Sequence, residues 1–593
     1  MYFFLLMLAL LGAFFGATSK RSLFDDETAM ISSNHAVSSV RKLQSASYET
    51  SAMIEKLQVA RAKFYDKLKE EYGSHADEIF KTIVNGQEET VGRSLFSDPI
   101  SWDRFKRKIM MKILQAKMTG SNQKFVWATG GHSAAAGHGN LFNESYTSIL
   151  MQKIPDLFDA AGMNFEAKPH AMGSTSSGNE IALCIKEVFG QDFDLISWDY
   201  GMTTGKAMSK AELFLYRASL SPNRPALVML NGNRYSSIMQ EMRDFGMPSF
   251  LMSSSARVEM QFPDTDGKTP EEIDQMPTHV RAFRCGKGVE KGEPSCGDQK
   301  YTYDSNPYEP CNKRKYRVSW HPGWKWHALY GNILSLFLIE ILDDALQAIK
   351  ADGSEPKNLF DKLKAQENEE YQRFLSSTLP TKFLDADLAK IEDIPSDVIY
   401  KKSNLCHTAR LPADIRYQGI LTESDIKGGY DNFDTGTALV QARSQLNEKM
   451  PVVRDTNLYQ LSCTKYKLEI DYQNFFLANS KGDTKLVLPN DAEKDFYHID
   501  EPLHGFVAMC LATCGWHCPK DTITWEQIRA PDGFLTVSLN GVKVQNFTRF
   551  SDDCAFLEHA DGHKWTPNSK GKIEFQSKTR DGFYARISAF VLW

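Results

Sequence analysis

Apolar positions recur along the chain with rhythms that change from one stretch to the next. An uncharged run from Tyr2 to Ala17 comes first, with Lys20-Arg21 just after it. Residues 20–97 are polar, rich in Ser, Ala, Glu and Lys. Within them Met53-Ile54-Glu55-Lys56-Leu57-Gln58-Val59-Ala60 sets apolar side chains every three or four residues, which predicts a helical stem. Residues 102–117 predict a basic amphipathic helix, with Arg104, Lys106, Arg107, Lys108, Lys112 and Lys117 around a stripe of Phe105, Ile109, Ile113 and Leu114. A solvated face over a buried stripe is the favoured reading of it, ahead of a membrane-surface or polyanion site.

From Lys124 the pattern alternates strand and helix. Lys124–Thr129, Asp194–Trp198, Ala226–Leu230 and, more weakly, Ser249–Met252 are short apolar runs; helical segments around Tyr146–Met151, Ser209–Arg217 and Ser236–Phe245 separate them. This predicts βαβ units and a doubly wound parallel sheet, a three-layer α/β fold whose sites lie at the carboxyl ends of the strands. Residues 256–318 interrupt the rhythm with Pro, Gly, Asp and three cysteines, as a disulfide-tied insertion. His327–Ala351 is a mostly apolar stretch in which Glu340, Asp343 and Asp344 favour a core helix over a membrane span. Beyond about 405, alternating runs at Tyr466–Tyr472, Phe534–Leu539 and Ile587–Leu592, with turns at Asn540-Gly541 and Asp581-Gly582, predict an antiparallel β-sandwich. The expected organisation is an N-terminal signal peptide or signal anchor (1–19), a helical stem (20–97), an α/β domain (98–351), a connector (352–404) and a β-rich C-terminal domain (405–593). That last domain is expected to bind glycan or dock a partner and to hold no active centre.

Composition narrows the function. At 593 residues the chain exceeds one core of roughly 100–200 residues. A balance of 69 Lys+Arg against 75 Asp+Glu, net −6, argues against nucleic acid as a partner. The apolar start has the length of a secretory h-region, with cleavage near Thr18 or Ser19, and the alternative is an uncleaved membrane anchor; either puts the body on the lumenal or extracellular side. The ten cysteines form an even set that predicts disulfides in such a compartment. Two sequons, Asn143-Glu144-Ser145 and Asn546-Phe547-Thr548, are permitted there as well.

The densest candidate chemistry is Ala128-Thr129-Gly130-Gly131-His132-Ser133-Ala134-Ala135-Ala136-Gly137-His138-Gly139-Asn140, between a strand and a helix. A serine at so tight a corner can present its hydroxyl above the sheet edge and its N–H to an oxyanion, although a plain Gly/Ser turn has the same composition. Three later segments bear on it. His170-Ala171-Met172-Gly173-Ser174 offers a second backbone donor, Asp199-Tyr200-Gly201-Met202-Thr203-Thr204-Gly205 brings hydroxyls to the end of a strand, and Trp320-His321-Pro322-Gly323 offers His321 as general base. Weaker alternatives are a metal held by His132, His138 and His170, a zinc or cluster at Cys510, Cys514 and Cys518 beside His504 and His517, for which disulfides are preferred, and a sugar cleft lined by Trp320, Trp324 and Trp326.

In order and spacing these segments, over about residues 120–350, resemble the four blocks of the SGNH (GDSL-like) hydrolase superfamily, closest to secreted members of algal or protist type. The resemblance implies an SGNH-like sheet, Ser133 as nucleophile in place of the serine of Gly-Asp-Ser, Gly173 as the oxyanion glycine, Thr203 where the oxyanion asparagine stands, and His321 as base. The family's Asp three residues before the histidine is Val318 here, so the imidazole is oriented by Asp304, by a backbone carbonyl or by nothing; His132 stands for an Asp without a direct catalytic role. The expected function is a serine esterase acting on acyl, chiefly acetyl, esters of a secreted or cell-surface polysaccharide, with no cofactor or metal. A lumenal carbohydrate O-acyltransferase and a catalytically silent glycan-binding scaffold are the alternatives.

Overall fold

The computed structural model describes residues 50–71, 96, 98–137, 145–171, 176–204, 208–230, 233–252, 324–377, 396–408, 476–478, 484–487, 506–511, 525–529, 535–539, 542–551, 553–558, 572–577 and 585–593. The apolar N-terminal run, the insertion 256–318 and the Tyr466–Tyr472 run lie outside the described residues.

Helix α1 covers 50–71. Then come α2 (Pro99–Thr119), β1 (Gln123–Gly131), α3 (Ser133–Ala136), α4 (Tyr146–Lys153), α5 (Pro155–Ala160), β2 (Met163–Pro169), α6 (Asn179–Leu183), α7 (Ile185–Phe189) and β3 (Leu195–Asp199). The unit continues through α8 (Met208–Ser219), β4 (Ala226–Met229), α9 (Ser236–Asp244), β5 (Ser249–Leu251), α10 (Trp324–Asp352) and α11 (Pro356–Ser376). The five strands form one parallel sheet in the order β2-β1-β3-β4-β5. The chain leaves β1 to one side for β2 and returns on the other side for β3, so the topological switch point lies between β1 and β3.

Period-2 alternation sorts the central strands between two cores. Phe125, Trp127, Leu195, Ala226, Val228 and Phe250 face one side, where α2, α4 and α10 cover them with Phe105, Leu150 and Phe337. Val126, Ala128, Ile196, Trp198, Leu227 and Met229 face the other, toward α7, α8 and α9 with Phe189, Phe214 and Met239. A run apolar at every position suits a strand covered on both sides. Helix α10 is the expected core helix, with Ile333, Phe337, Ile341 and Ala345 fully buried, and no described helix is long and apolar enough to cross a membrane. The stem helix α1 packs Ile54, Leu57, Phe64 and Leu68 into the first core.

The basic face of α2 is not solvated. Asp98 caps the helix by accepting from the Ser101 N–H at 2.7 Å, and the stripe then meets α11. Arg104 and Arg107 pair with Glu370 at 3.5 and 2.9 Å, Lys108 pairs with Glu367, and Lys112 reaches the buried Asp194 at 2.9 Å. Arg104, Arg107 and Lys108 thus hold α2 to α11, while Lys112 ties α2 to the chain just before β3.

Beyond α12 (Ser396–Lys401) the described residues are β-rich, as expected, in two antiparallel sheets. One has the order β12-β13-β9-β15-β6, built from β6 (Leu405–Thr408), β9 (Val507–Leu511), β12 (Asn546–Arg549), β13 (Cys554–Glu558) and β15 (Ala585–Leu592), with β7 (Phe476–Ala478) also on β15. The other has the order β11-β10-β14-β8, built from β8 (Thr484–Val487), β10 (Leu535–Leu539), β11 (Val542–Lys543) and β14 (Lys572–Ser577). A short helix, Trp525–Arg529, lies between β9 and β10.

The first of these sheets packs against the parallel sheet's second core: Ala508, Phe550, Phe556, Val591 and Trp593 share that cluster with Trp198 and Tyr216. A polar seam ties the two together. Cys184 is bonded to Cys406, and the Cys406 N–H donates to Glu187 Oε1 at 3.0 Å. Arg217, 6% exposed, donates to the carbonyls of Tyr400 (3.4 Å) and Lys402 (2.5 Å) and to Asn404, whose amide donates to the Leu183 carbonyl at 2.7 Å. Burial pushes the Glu187 carboxyl up to about 7 and the Arg217 guanidinium down to about 10. A second disulfide, Cys510–Cys554, joins facing residues of β9 and β13. Two disulfides fit an oxidising compartment.

Candidate active site

The strands β1 and β3 end side by side at the switch point, with Gly131 opposite Asp199. Two glycines let the corner close. A Cβ at Gly130 would come within 2.9 Å of the Phe189 ring, and one at Gly131 would meet Ala135 and come within 3.0 Å of the Asp199 carbonyl oxygen. The His132 N–H donates to that carbonyl at 3.1 Å, and the chain turns directly into α3, whose first residue is Ser133.

His132 is buried and its Nδ1 accepts from the Ala134 N–H at 3.1 Å, so the imidazole satisfies an amide at the start of α3. That bond needs a neutral ring. Burial holds the His132 pKa below its ordinary 6.5, against the nearby Asp199 charge, which pulls it up.

A second histidine acts the same way. Gly137 ends α3 at φ +80°, and a Cβ there would touch Ser145, the N-cap of α4. Tyr146, the next residue, donates its N–H to His327 Nδ1 at 3.2 Å and its hydroxyl to Asp199 Oδ2 at 3.0 Å. Its ring lies nearly parallel to the His327 ring, with centroids 5.9 Å apart. Burial alone lowers the His327 pKa to about 3, so the ring is neutral near pH 7, as its acceptance of the Tyr146 N–H requires. Desolvation first, then Asp199, raises the Tyr146 phenol well above 10. Beneath these groups runs a buried hydroxyl chain: Trp127 Nε1 donates to Ser197 Oγ at 3.0 Å, Ser197 Oγ lies 3.4 Å from Thr129 Oγ1, and the Thr147 hydroxyl donates to Thr129 at 3.0 Å.

The segment after β3 folds back to the same edge. The Thr203 N–H donates to the Tyr200 carbonyl at 3.1 Å and its half-buried hydroxyl donates to the same oxygen at 3.3 Å. Thr204 Oγ1 accepts from the Ser177 N–H at 3.2 Å, which draws the segment after β2 toward the one after β3. Of the five residues expected to form the site, the fold positions the backbone of Ser133 and the whole of Thr203 at this edge. Gly173, His321 and Asp304 lie outside the described residues, as do His138, Val318 and Trp320.

Sequence reasoning missed Tyr146, His327 and the Asp199 carboxylate. Only Asp199 carried a signal, its place one residue beyond an apolar strand. Among the described residues no three His, Cys, Asp or Glu side chains gather as a metal site. Cys510 is taken up by its bond to Cys554, which removes it from the Cys510-Cys514-Cys518 set; Cys514 and Cys518 lie outside the described residues.

No family model and no curated protein matches the chain. Among solved structures it matches a two-domain esterase (CEX) active on acetylated mannans, in one crystal structure co-crystallised with mannopentaose and in another without it. The identity is 11% in both, over 81% of this chain and 94% and 95% of those, with TM-scores of 0.34 and 0.33.

Proposed function

We propose that the protein is a serine esterase that removes acyl groups, chiefly acetyl, from a secreted or cell-surface polysaccharide. The observation that supports this most is the corner at the switch point, where two glycines with no room for a side chain turn β1 into a helix that begins at Ser133. In the proposed reaction His321, oriented by Asp304, takes the hydroxyl proton of Ser133 as the oxygen attacks the ester carbonyl. The N–H groups of Ser133 and Gly173 hold the oxyanion, with Thr203 as third donor once its hydroxyl turns from the Tyr200 carbonyl. Collapse expels the sugar alkoxide, protonated by His321, and leaves an acyl-serine; water, deprotonated by the same histidine, then releases the acid. A sugar hydroxyl in place of water would make the protein an O-acyltransferase. Val318 and the inward-turned Thr203 hydroxyl favour instead a silent glycan-binding scaffold.

The test is hydrolysis of short acyl esters and acetylated polysaccharides by residues 50–593, which keep α1 in the first core, wild type against Ser133→Ala and His321→Ala. The esterase reading requires both variants to lose nearly all activity. Equal rates in all three refute the assignment, no activity in any supports the scaffold, and transfer to added sugar faster than hydrolysis supports the transferase.

A further inference from the structure

We propose that Asn546 is an N-glycan acceptor and that its glycan covers the edge at which the larger antiparallel sheet ends among the described residues. Asn546-Phe547-Thr548 is a sequon with no proline at its middle position or after it. Such tripeptides are common by chance, so the placement carries the argument. Strand β12 is the terminal strand of its sheet among the described residues, paired only with β13. Phe547 is buried, with its ring 5.9 Å from Trp525, and this fixes the phase of the strand. By period-2 alternation Asn546 and Thr548 then share the opposite face, where Asn546 is exposed and Thr548 half-buried. No described residue hydrogen-bonds the Asn546 amide, so a sugar there would displace no contact.

The edge also has a need for cover. A terminal strand presents unpaired backbone N–H and C=O groups that template pairing with another chain. A branched, hydrated glycan rooted on β12 would obstruct a second strand sterically. The two disulfides agree with a compartment in which such transfer occurs.

The test is secretory expression of the full chain in a eukaryotic host, with release of N-glycans by peptide:N-glycosidase in heavy-oxygen water and peptide mapping. Asn546 is expected mostly as heavy-oxygen-labelled Asp; Thr548→Ala should abolish the label and Thr548→Ser retain it. Recovery of the Asn546 peptide unlabelled, with its amide intact, overturns the proposal. Because Asn143 belongs to a second sequon, Asn143→Gln separates the two by mass. For the covering role, Asn546→Gln is expected to raise the aggregated fraction several-fold at unchanged thermal midpoint. An unchanged fraction overturns that half while leaving the acceptor site in place.

Discussion

On one side of the parallel sheet Phe125, Trp127 and Val228 lie under α2, α4 and α10, all within residues 99–352, and the joint is aromatic and aliphatic. On the other side Val126, Trp198 and Met229 lie under α7, α8 and α9 and, beyond these, the C-terminal strands, whose sequence separation is large; Cys184 and Cys406 are 222 residues apart. The second joint carries a disulfide, a buried guanidinium and a buried carboxyl. Sequence distance alone does not set the two apart, because α10 meets α2 across about 200 residues; the C-terminal segment differs in being held by a covalent tie and by buried polar partners that fix its register.

The largest test of that contrast removes the distant segment. Truncation after residue 377 would strip Phe550, Phe556, Val591 and Trp593 from the second core. At about 1.5–3 kcal/mol per fully buried large apolar side chain, the loss approaches or exceeds the ~5–15 kcal/mol by which domains are stable. Residues 50–377 are therefore expected to be insoluble or molten by near-UV circular dichroism, and a cooperative thermal transition in that fragment would break the comparison. Next in size, Cys184→Ala with Cys406→Ala should cost about 2–4 kcal/mol in denaturant unfolding. Cys510→Ala with Cys554→Ala, closing 44 residues instead of 222, should cost less.

The pH dependence separates the two regions further. Glu187 has its carboxyl raised from 4.5 to about 7, so between those values the unfolded chain is ionised and the folded one protonated. Stability at the seam therefore falls as pH rises from 4.5 to about 7. The site histidines act oppositely. The pKa of His327 falls from 6.5 to about 3 and that of His132 is also lowered, so their contribution is complete above 6.5 and declines as pH falls. Glu187→Gln keeps an acceptor for the Cys406 N–H and should flatten the alkaline-side decline in unfolding midpoint between about pH 5 and about pH 8. An unchanged slope would mean that Glu187 is ionised in the folded protein.

What could be read from sequence followed the same divide. Strands β1, β3 and β4 show as short apolar runs because both faces are covered, while β2, at the sheet edge with Asn164, Glu166 and Lys168 outward, alternates instead. Helix α11 read as a connector because only Leu359, Leu363 and Phe374 are buried; its acids are matched by cations some 260 residues earlier. At the site, Gly130 and Gly131 announced a tight corner locally. Tyr146 and His327 meet across 181 residues, and no local spacing encodes such a pair.

The smallest effect, and the one that discriminates best at the site, is Tyr146→Phe. Two buried tyrosines sit there at 84° to one another with centroids 4.9 Å apart. The Tyr146 hydroxyl donates to the Asp199 carboxylate, whereas that of Tyr330 donates to the Met252 sulfur at 3.2 Å, a weak acceptor. Removing a donor from a buried carboxylate costs about 1–3 kcal/mol, and the lost oxygen leaves ring packing intact. Tyr330→Phe should cost under about 1 kcal/mol, since a thioether bond returns little of the hydroxyl's desolvation. Asp199 also carries the carbonyl that receives the His132 N–H, so Tyr146→Phe should loosen the corner before Ser133 and speed hydrogen exchange of the His132 and Ala134 amides, with Tyr330→Phe leaving both unchanged. Equal unfolding midpoints and equal exchange in the two variants would show that the phenol of Tyr146 packs without holding the site.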